Sequence, residues 1–546
     1  MKKLFLQLFV LLLTGVVAYG QIDTVSVPHI IDGDPFGAIN KFILGDTTST
    51  GERVNELRYY KLEKNKIYFL NGILHTDFDL RLIADDVEEG ETPPIVASTT
   101  GSDGTIQLIQ FKLFQNGYVK NIIFQMTPPS GNGESNASFF LAGENKNYEF
   151  DNVMIEWGLW TGIVTEKPVN KVVIKNCYFK NQQHKTNIWN GRGFGFFQEN
   201  PADSVIMQNN TFFNNNSFVF FADISSIPPD YLLFDHNTIV NTMKFPIHSF
   251  WLPNAKVTNN LFYNAHSYGE TEEDKVGQDP GGQQYGIINI SAIPSDLIDY
   301  YNIEEGDRKY RVANNGFYYA NPINIYWQQN GLQPTPFMNP RTMGMFADEA
   351  VYPNLKTEAP MVADPGFINQ GEGMASMVQW MTNKRNIIGN TYWGWDSDDD
   401  KFGVEWPLVE DLSYTNEDMK VASQGGFPLG DLNWWGDAIK DEWNTWAANT
   451  TAVEDLHSTA IDAVTIAPNP ANNILTINYI LSDNSDLSIN LFNLNGSRAA
   501  GIYNGHQSKG EHQIGWKIEE SITNGIYLIR ISDGNGSITK KVIIQK

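Results

Sequence analysis

Cysteine is almost absent from this chain of 546 residues, in which Cys177 is the only one. A single cysteine cannot form a disulfide within the chain, so the fold must rely on packing and backbone pairing. Cys177 lies in a repeated motif, at a position that threonine, leucine or glycine takes in other copies. A position open to such different side chains is structural, and we expect no nucleophilic role for the thiol.

Basic residues are scarce relative to acidic ones. Lysine and arginine number 38 against 63 aspartates and glutamates, which gives a formal net charge of −25 at pH 7. This charge argues against a nucleic-acid partner, because phosphate binding needs clustered lysine and arginine. It does not exclude an acidic polysaccharide, since a local basic groove can exist on an acidic protein. The acidity otherwise favours solubility outside the cell.

Long apolar runs are missing beyond the N-terminus. Residues 1–20 contain Lys2 and Lys3, a short apolar stretch at 4–17, and the small residues Ala18 and Gly20 at the end. This pattern is typical of a secretory signal peptide, and it is too short for a spanning helix, which needs about 20 apolar residues. No later segment is long and apolar enough to span a membrane. We therefore expect a secreted protein.

What the chain has instead is a repeat built around asparagine. Six asparagines have an apolar residue three positions before and another two positions after: Asn176, Asn210, Asn237, Asn260, Asn315 and Asn390. The shortest interval between them, 23 residues, suits one solenoid coil of three short strands and three turns. The longer intervals fit one coil with inserted loops, or several coils that lack the signature. Such coils bury their apolar faces against one another.

The repeat also predicts where its side chains lie. Asparagine tolerates the left-handed backbone of a tight turn, and its amide can bond to the asparagine of the next coil to give a ladder. We expect the apolar residues at minus three and plus two to point into the stack. His236 replaces the first asparagine of an Asn-Asn doublet and is expected to be a turn residue. Residues 435–448 are predicted to be helical, because Ile439, Trp443 and Trp446 form one apolar stripe.

The runs at 172–179 and 232–240 resemble coils of the right-handed parallel β-helix in the pectate-lyase-like superfamily. The resemblance extends over residues 120–393, and segments 45–53 and 426–434 are similar to the entry and closing regions of secreted β-helix proteins from Bacteroidetes-type bacteria. It implies an all-β fold, a right-handed parallel β-helix solenoid. The reaction stays open, because this superfamily contains lyases, hydrolases, epimerases, adhesins and scaffolds.

The last eighty residues differ from the solenoid. Short strand-like stretches at 476–480, 487–492, 525–531 and 538–544 predict a small C-terminal β-sandwich. The pieces at 467–470, 491–496, 525–528 and 540–542 resemble the type A C-terminal sorting domain of the type IX secretion system. That resemblance implies the type IX export and sorting machinery as partner, and an extracellular or outer-membrane-surface location, usually with removal of the domain. The alternative is an accessory sandwich, for example a carbohydrate-binding one.

These observations predict five segments. They are a signal peptide at 1–20, an N-terminal cap with the first coils at 21–118, the β-helix with inserted loops at 119–434, a closing helix and linker at 435–459, and the sorting domain at 460–546.

The most suggestive stretch for chemistry is the glycine-rich loop at 184–197. Arg192 could accept a proton or clamp a carboxylate, and His184 lies in the same loop. The alternative is that Arg192 caps a turn or pairs with Asp203 or Glu199.

Two carboxylates flank the next coil, Asp223 and Asp235, and could act as acids or bind a cation. Aspartate is also common at solenoid turns. Asp396, Asp398 and Asp400 occupy positions one, three and five of a possible calcium loop. Lys401 and Pro407 stand where an EF-hand has glycine and glutamate, so this is not an EF-hand. This spacing suggests calcium as a cofactor, and a solvated acidic loop is the alternative.

Tryptophans could supply a sugar-binding surface, and the candidates are Trp160, Trp189 and Trp251. Packing is the alternative for each. We expect a protein that binds extracellular, acidic polysaccharide and, if it is an enzyme, degrades it as a lyase or a glycoside hydrolase. The alternative function is a non-enzymatic adhesin or matrix protein.

Overall fold

The chain folds into a long solenoid followed by a small sandwich. The structure is a computed structural model that describes residues 23–546 except 102–103, 131–132, 185, 198–201, 223–227, 272–281, 296, 299–302, 372, 389–393, 396–401, 452–460, 482, 494–497 and 534–536. Outside the described residues lie the predicted signal peptide, Asn390, Asp223, Asp396, Asp398 and Asp400.

Three parallel sheets run along the solenoid, and each full coil passes through sheet one, sheet two and sheet three in turn. The strands of sheet one are Thr24–Ser26, Tyr59–Lys61, Leu80–Ile83, Gly117–Lys120, Asn147–Asp151, Val169–Lys175, Ala202–Gln208, Tyr231–Asp235, Asn254–Thr258, Lys309–Ala313 and Leu355–Thr357. Those of sheet two are Ile67–Phe69, Ile95–Ala97, Ile123–Gln125, Met154–Glu156, Tyr178–Lys180, Thr211–Phe213, Thr238–Val240, Leu261–Tyr263, Gly316–Tyr318 and Met361–Val362. Those of sheet three are Leu74–Thr76, Ile109–Leu113, Ala137–Leu141, Thr161–Thr165, Arg192–Phe196, Phe220–Phe221 and Ile247–His248. The predicted solenoid is confirmed.

The interior is a stack of apolar side chains in register. Phe111 and Phe139 stack with ring centroids 4.9 Å apart, and Phe179 and Phe212 do the same at 4.9 Å in the neighbouring sheet. Each coil therefore receives the cover for its apolar face from the coils above and below it.

The predicted asparagine ladder is present inside the solenoid. The Nδ2 of Asn210 donates to Oδ1 of Asn237 at 2.9 Å, Asn237 donates in the same way to Asn260 at 3.0 Å, and Asn260 to Asn315 at 2.9 Å. Each of these amides also donates to a backbone carbonyl, as Asn237 does to Met207. Asn260 bonds directly to Asn315, so the 55-residue interval is one coil with an insertion.

The first copy of the repeat was predicted one residue out of register. Tyr178 pairs with Thr211 in sheet two, which aligns Cys177 with the ladder residue Asn210. The predictions that Cys177 takes the position after the ladder asparagine and that Tyr178 points inward are therefore wrong. Phe179 occupies the inward position of this coil. The ladder position of this coil holds Cys177, so the asparagine pattern falls on Asn176, one residue too early.

Residues with a left-handed backbone recur at two of the turns of each coil, the turn before sheet two and the turn before sheet three. Before sheet two they are Asn121, Asn152, Asn176, Asn209, His236, Asn259 and Asn314. Before sheet three they are Trp157, Asn181, Asn214, Asn241 and Asn264. His236 is thus a turn residue, as predicted. Asn241 and Asn264 continue a second ladder, in which Nδ2 of Asn264 donates to Oδ1 of Asn241 at 2.9 Å.

Helices lie at the start of the solenoid and in its insertions and closing region. Their bounds are Ala38–Gly45, Asn321–Gln329, Pro340–Ala347, Met374–Arg385 and Asp437–Thr451, with 3-10 turns at Met419–Val421 and Leu432–Trp435. An antiparallel strand pair joins Phe367–Asn369 to Asp411–Tyr414. The predicted closing helix is confirmed at Asp437–Thr451, and its Trp443 packs on Phe427 and Leu432.

The C-terminal sandwich has two antiparallel sheets. Its first sheet contains Ile461–Ala467, Ile474–Leu481 and Gly510–Lys517. Its second contains Ser485–Asn493, Arg498–Gln507, Gly525–Ser532 and Ser537–Ile544. Buried residues such as Ile477, Leu491 and Ile529 form a core separate from that of the solenoid. The predicted sandwich is confirmed.

Candidate functional site

The outer face of sheet two is covered by a later part of the chain. Residues 404–435, which we call the covering segment, pack on the outward side chains Ile123, Met154 and Tyr178 through residues that include Trp406. An outward apolar column on a solenoid needs such a cover, because a large exposed apolar patch is unfavourable in water.

Hydrogen bonds fix the position of the covering segment. The backbone N–H of Asp431 donates to Oγ1 of Thr238 at 2.8 Å, and Oγ1 of Thr211 donates to Oδ2 of Asp431 at 2.8 Å. The backbone N–H of Gly430 donates to the carbonyl of Asn259 at 2.8 Å. The segment is thus tied to three successive coils.

Between the covering segment and the turn before sheet two lies a cleft of about 190 Å³, which we call the roofed cleft. Its floor is the outward column Ile123, Met154 and Tyr178, aligned by the pairing of sheet two. Its roof includes Trp406 and Trp434. A concave site with an apolar floor and a few polar groups is the usual form of a small-molecule site.

The two tryptophans of the roof are half-buried. Trp434 lies edge-on to Tyr178, with ring centroids 6.1 Å apart. Its indole N–H donates to Oγ1 of Thr211 at 2.8 Å. This bond and the aromatic contact hold the orientation of the Trp434 ring at the cleft.

Amides form the side wall of the cleft. Asn121, Asn152 and Asn176 come from the left-handed turns of three successive coils. The Nδ2 of Asn152 donates to Oδ1 of Asn121 at 2.9 Å, and Nδ2 of Asn121 donates to Oδ1 of Asp86 at 2.8 Å. The left-handed turns therefore place a row of planar polar groups along one side, at the spacing of the coils.

Three carboxylates line the same cleft: Asp85, Asp86 and Asp431. Asp85 Oδ2 lies 2.6 Å from Nζ of Lys61. Asp431 is buried, and this burial raises its pKa to about 7, although hydrogen bonds from Asn433 and Thr211 act in the opposite direction. No lysine or arginine is among the described residues that line the cleft.

Beside the cleft, the covering segment buries a charged network. Nζ of Lys180 lies 3.4 Å from Oε1 of Glu410 and 3.3 Å from Oε2 of Glu405, and the hydroxyl of Tyr178 donates to Glu410. Burial alone would lower the pKa of Lys180, but the charges of Glu410, Glu156 and Glu405 outweigh it and raise the pKa. The ammonium therefore stays charged and joins the covering segment to sheet two.

The structure brings three predicted site residues together on the side of sheet three. Arg192 stacks on Phe221, with its guanidinium carbon 3.4 Å from the ring centroid, and its Nε donates to the carbonyl of Trp189 at 2.5 Å. Nδ1 of His184 accepts hydrogen bonds from two backbone N–H groups that follow it in the loop. Burial and the charge of Arg192 lower the pKa of His184.

Asp235 lies apart from that group, at the buried end of the strand Tyr231–Asp235. Its carboxylate accepts from Thr258 at 2.6 Å, from Asn259 at 2.7 Å and from Gln208 at 3.1 Å, and it pairs with Nδ1 of His236 at 2.9 Å. Burial alone would raise the pKa of Asp235, but the charge of His236 and these hydrogen bonds lower it.

The other two candidate tryptophans lie in separate places. Trp160 is half-buried and packs on Phe140 and Phe197, outside sheet three. Trp251 is 3% exposed and packs against Phe492 of the C-terminal sandwich. Neither lines the roofed cleft.

Sequence reasoning missed the residues of the roofed cleft. Trp406, Asp431 and Trp434 belong to the covering segment, and Asp86 to an early coil. The available signal was the similarity of segment 426–434 to a closing region, which marked the segment but not what it covers.

A comparison with known families accounts for the C-terminal sandwich. Residues 465–545 match the secretion system C-terminal sorting domain. The chain thus carries the type IX sorting signal, which indicates export to the cell surface or the medium. No curated protein matches the chain.

This match lies within the C-terminal sandwich, so the role of the solenoid rests on its geometry. Within the described part of the chain, no helix has the length and apolar character to cross a membrane. Among those same residues, no three side chains of histidine, cysteine, aspartate or glutamate form a group that could hold a metal ion.

Proposed function

We propose that this exported protein binds a neutral saccharide in the roofed cleft. One observation carries the proposal. The roof tryptophans, Trp406 and Trp434, line the same cleft as a row of amides from successive coils and several carboxylates. The sorting domain supports a location in which extracellular glycans are available.

The chemistry of the lining suits a sugar. The C–H faces of a sugar ring pack on an aromatic ring, as apolar groups do, while its hydroxyl groups need hydrogen-bond partners. The amides of Asn152 and Asn176 carry both donors and acceptors, and Asp86 adds acceptors. The volume is below the ~300–1,000 Å³ typical of larger ligands, so we propose that the cleft takes one chain end or one sugar unit.

The charge of the cleft selects between glycans. Asp86 would repel a uronate, and Asp431 would do so when it is ionised, whereas Lys61 offsets the charge of Asp85 at 2.6 Å. A neutral glycan therefore fits better than the acidic polysaccharide predicted from the sequence, which remains an alternative in the binding test.

A second candidate function is hydrolysis of the bound glycan, and Asp431 favours it. Glycoside hydrolases use a carboxylic acid that holds its proton at the working pH, together with a second carboxylate. Burial raises the pKa of Asp431 to about 7, so it can hold a proton near neutrality. Asp86 is the carboxylate in the same cleft that we propose for the second role.

The test is a binding screen of the full chain against neutral and uronate-containing oligosaccharides, by titration calorimetry. Trp406→Ala should weaken binding of the neutral ligand about tenfold, the equivalent of about 1.4 kcal/mol. Trp160→Ala removes the same side chain outside sheet three and serves as the matched control. Binding of uronates alone, or equal loss in both variants, would refute the proposed site.

Hydrolysis is read separately by the release of reducing ends. Asp431→Asn should abolish turnover and leave the affinity for the neutral glycan nearly unchanged, because the amide keeps the shape of the carboxyl. Binding without any release of reducing ends would refute the hydrolase and leave a glycan-binding surface protein. Unsaturated uronates, seen by their ultraviolet absorbance, would instead indicate a lyase.

A further inference from the structure

The sorting domain has an outer face that is not exposed to solvent. In the second sheet of the sandwich, Leu491 and Ile529 point into the sandwich core. Side chains alternate along a strand, so Phe492 and Leu528 point away from that core, and they pair across neighbouring strands. Phe492 is nevertheless 0% exposed.

The side chains that cover this face belong to the solenoid. Phe492 and Leu528 pack against Trp251 and Ile293, which are 3% and 5% exposed. Ile293 lies in the insertion that follows the Asn260 coil, and Leu297 and Ile303 of the same insertion join the contact. The apolar cluster therefore combines a coil end, an insertion and the sorting domain.

Charged groups extend the contact beside the apolar cluster. Arg530 lies opposite Asn490 in the strand register, on the same outer face. Its Nη2 lies 3.5 Å from Oδ1 of Asp230 in the solenoid. The two side chains are only 9% and 20% exposed. Burial and the charge of Asp230 raise the pKa of Asp203 to about 8, while Lys540 and Arg530 of the sorting domain act to lower it.

The two surfaces match in both apolar and charged character. The sorting domain offers an aromatic residue and an arginine, and the solenoid offers Trp251 and the carboxylates Asp203 and Asp230. Buried aromatic and arginine side chains are the groups that contribute most to protein interfaces. A second, exposed ion pair joins Lys541 to Glu144 at 3.9 Å.

We propose that the solenoid is itself a binding partner of the sorting domain, which docks in cis through Phe492, Leu528 and Arg530 on the site formed by Trp251, Ile293 and Asp230. In the full chain this docking covers Trp251, and separation of the sorting domain uncovers it. The folded precursor is thus one docked unit and not two domains joined by a free linker.

Hydrogen–deuterium exchange on the full chain tests this proposal, because exchange reports local opening. Arg530→Asp places a third acid beside Asp203 and Asp230 and should undock the domain. Exchange around Trp251 and Ile293 should then become at least several-fold faster. Addition of Asp230→Arg to Arg530→Asp restores opposite charges and should restore slow exchange.

Lys517→Asp is the matched control, since it reverses an exposed charge on the other sheet of the sorting domain. It should leave exchange around Trp251 at the wild-type rate. Phe492→Asp should act like Arg530→Asp, and protection of the strand Ile474–Leu481 confirms in each variant that the sandwich is folded. Wild-type exchange around Trp251 in both Arg530→Asp and Phe492→Asp would overturn the proposal.

Discussion

The hydroxyl of Thr211 donates a hydrogen bond to Oδ2 of Asp431 at 2.8 Å. This bond joins the outer face of sheet two to the covering segment, and the acceptor is a buried carboxyl whose pKa is raised to about 7. The same hydroxyl accepts from the indole of Trp434 at 2.8 Å. One threonine thus positions both the acid and the aromatic ring of the roofed cleft.

The raised pKa of Asp431 predicts a pH dependence of stability. An unfolded aspartate ionises near pH ~3.9, so between about pH 4 and 7 the folded chain binds more protons at this site than the unfolded chain. Stability therefore falls as pH rises through this range. Asp431→Asn should lose that part of the fall, which amounts to roughly 4 kcal/mol at most, since each pKa unit is worth about 1.4 kcal/mol.

The measurement is the melting temperature of wild type and Asp431→Asn between pH 4 and 8. The melting temperature of the wild type, relative to that of Asp431→Asn, should fall as pH rises. Asp418→Asn, which removes an exposed carboxylate from the same segment, controls for the loss of one negative charge. A difference in melting temperature between wild type and Asp431→Asn that stays constant from pH 4 to 8 would contradict the prediction.

Loss of a ladder amide should destabilise the solenoid strongly. Asn237→Ala leaves one N–H of the Asn210 amide without its acceptor, while the other still bonds to the carbonyl of Ile174, and the carbonyl of Met207 loses its donor. A buried group left unpaired costs about 1–3 kcal/mol, so we expect a loss of about 3 kcal/mol or more in urea unfolding. Asn324→Ala removes an exposed helical amide that donates to the carbonyl of Tyr319 at 3.1 Å and should cost no more than about 1 kcal/mol.

The replacement of Cys177 by asparagine should extend the ladder by one coil. The backbone N–H of Cys177 already donates to Oδ1 of Asn210 at 2.9 Å, and its thiol donates to the carbonyl of Phe150 at 3.5 Å. An amide at this position meets the same partners that Asn210 meets one coil later. Cys177→Asn should therefore melt at or above the wild-type temperature, whereas Cys177→Ala should melt below it. A variant Cys177→Asn less stable than Cys177→Ala would refute the alignment.

We expect Lys180 to stabilise the packing of the covering segment on sheet two. Lys180→Met leaves the carboxylate of Glu410, whose side chain is only 2% exposed, without its cation. Breaking a buried pair costs about 3–5 kcal/mol, and Glu410→Gln added to Lys180→Met should recover part of it. Lys356→Met breaks an exposed pair with Glu349, for which about 0–1 kcal/mol is expected. Equal losses in urea unfolding for Lys180→Met and Lys356→Met would contradict the prediction.

The solenoid was predictable because its determinants repeat. Asn237 and Asn260 have apolar residues at the same offsets, and each repeat adds to the signal of a coil. The wrong register at Asn176 has a simple cause: the pattern is centred on an asparagine, and the ladder position of that coil holds Cys177. The sandwich was predictable from strand-like stretches bounded by turns.

The roofed cleft could not be predicted in the same way. Its wall comes from the turns at Asn121 and Asn152, and its roof from Trp434, far along the chain. The period of the coils says nothing about which outer face a later segment will cover. The loop of Arg192 attracted attention because its residues are adjacent in sequence, whereas the residues of the cleft are adjacent only in space.

The amides of the inner ladder all point the same way, because each Nδ2 donates to the coil that follows. Aligned peptide groups add their dipoles in a helix, and a row of aligned side-chain amides does so along the solenoid axis. Hydrogen bonds in such a chain polarise one another. The ladder asparagines are therefore not equivalent. Asn237 and Asn260, in the middle of the row, should stabilise the stacking of the coils more than Asn315, where the row ends.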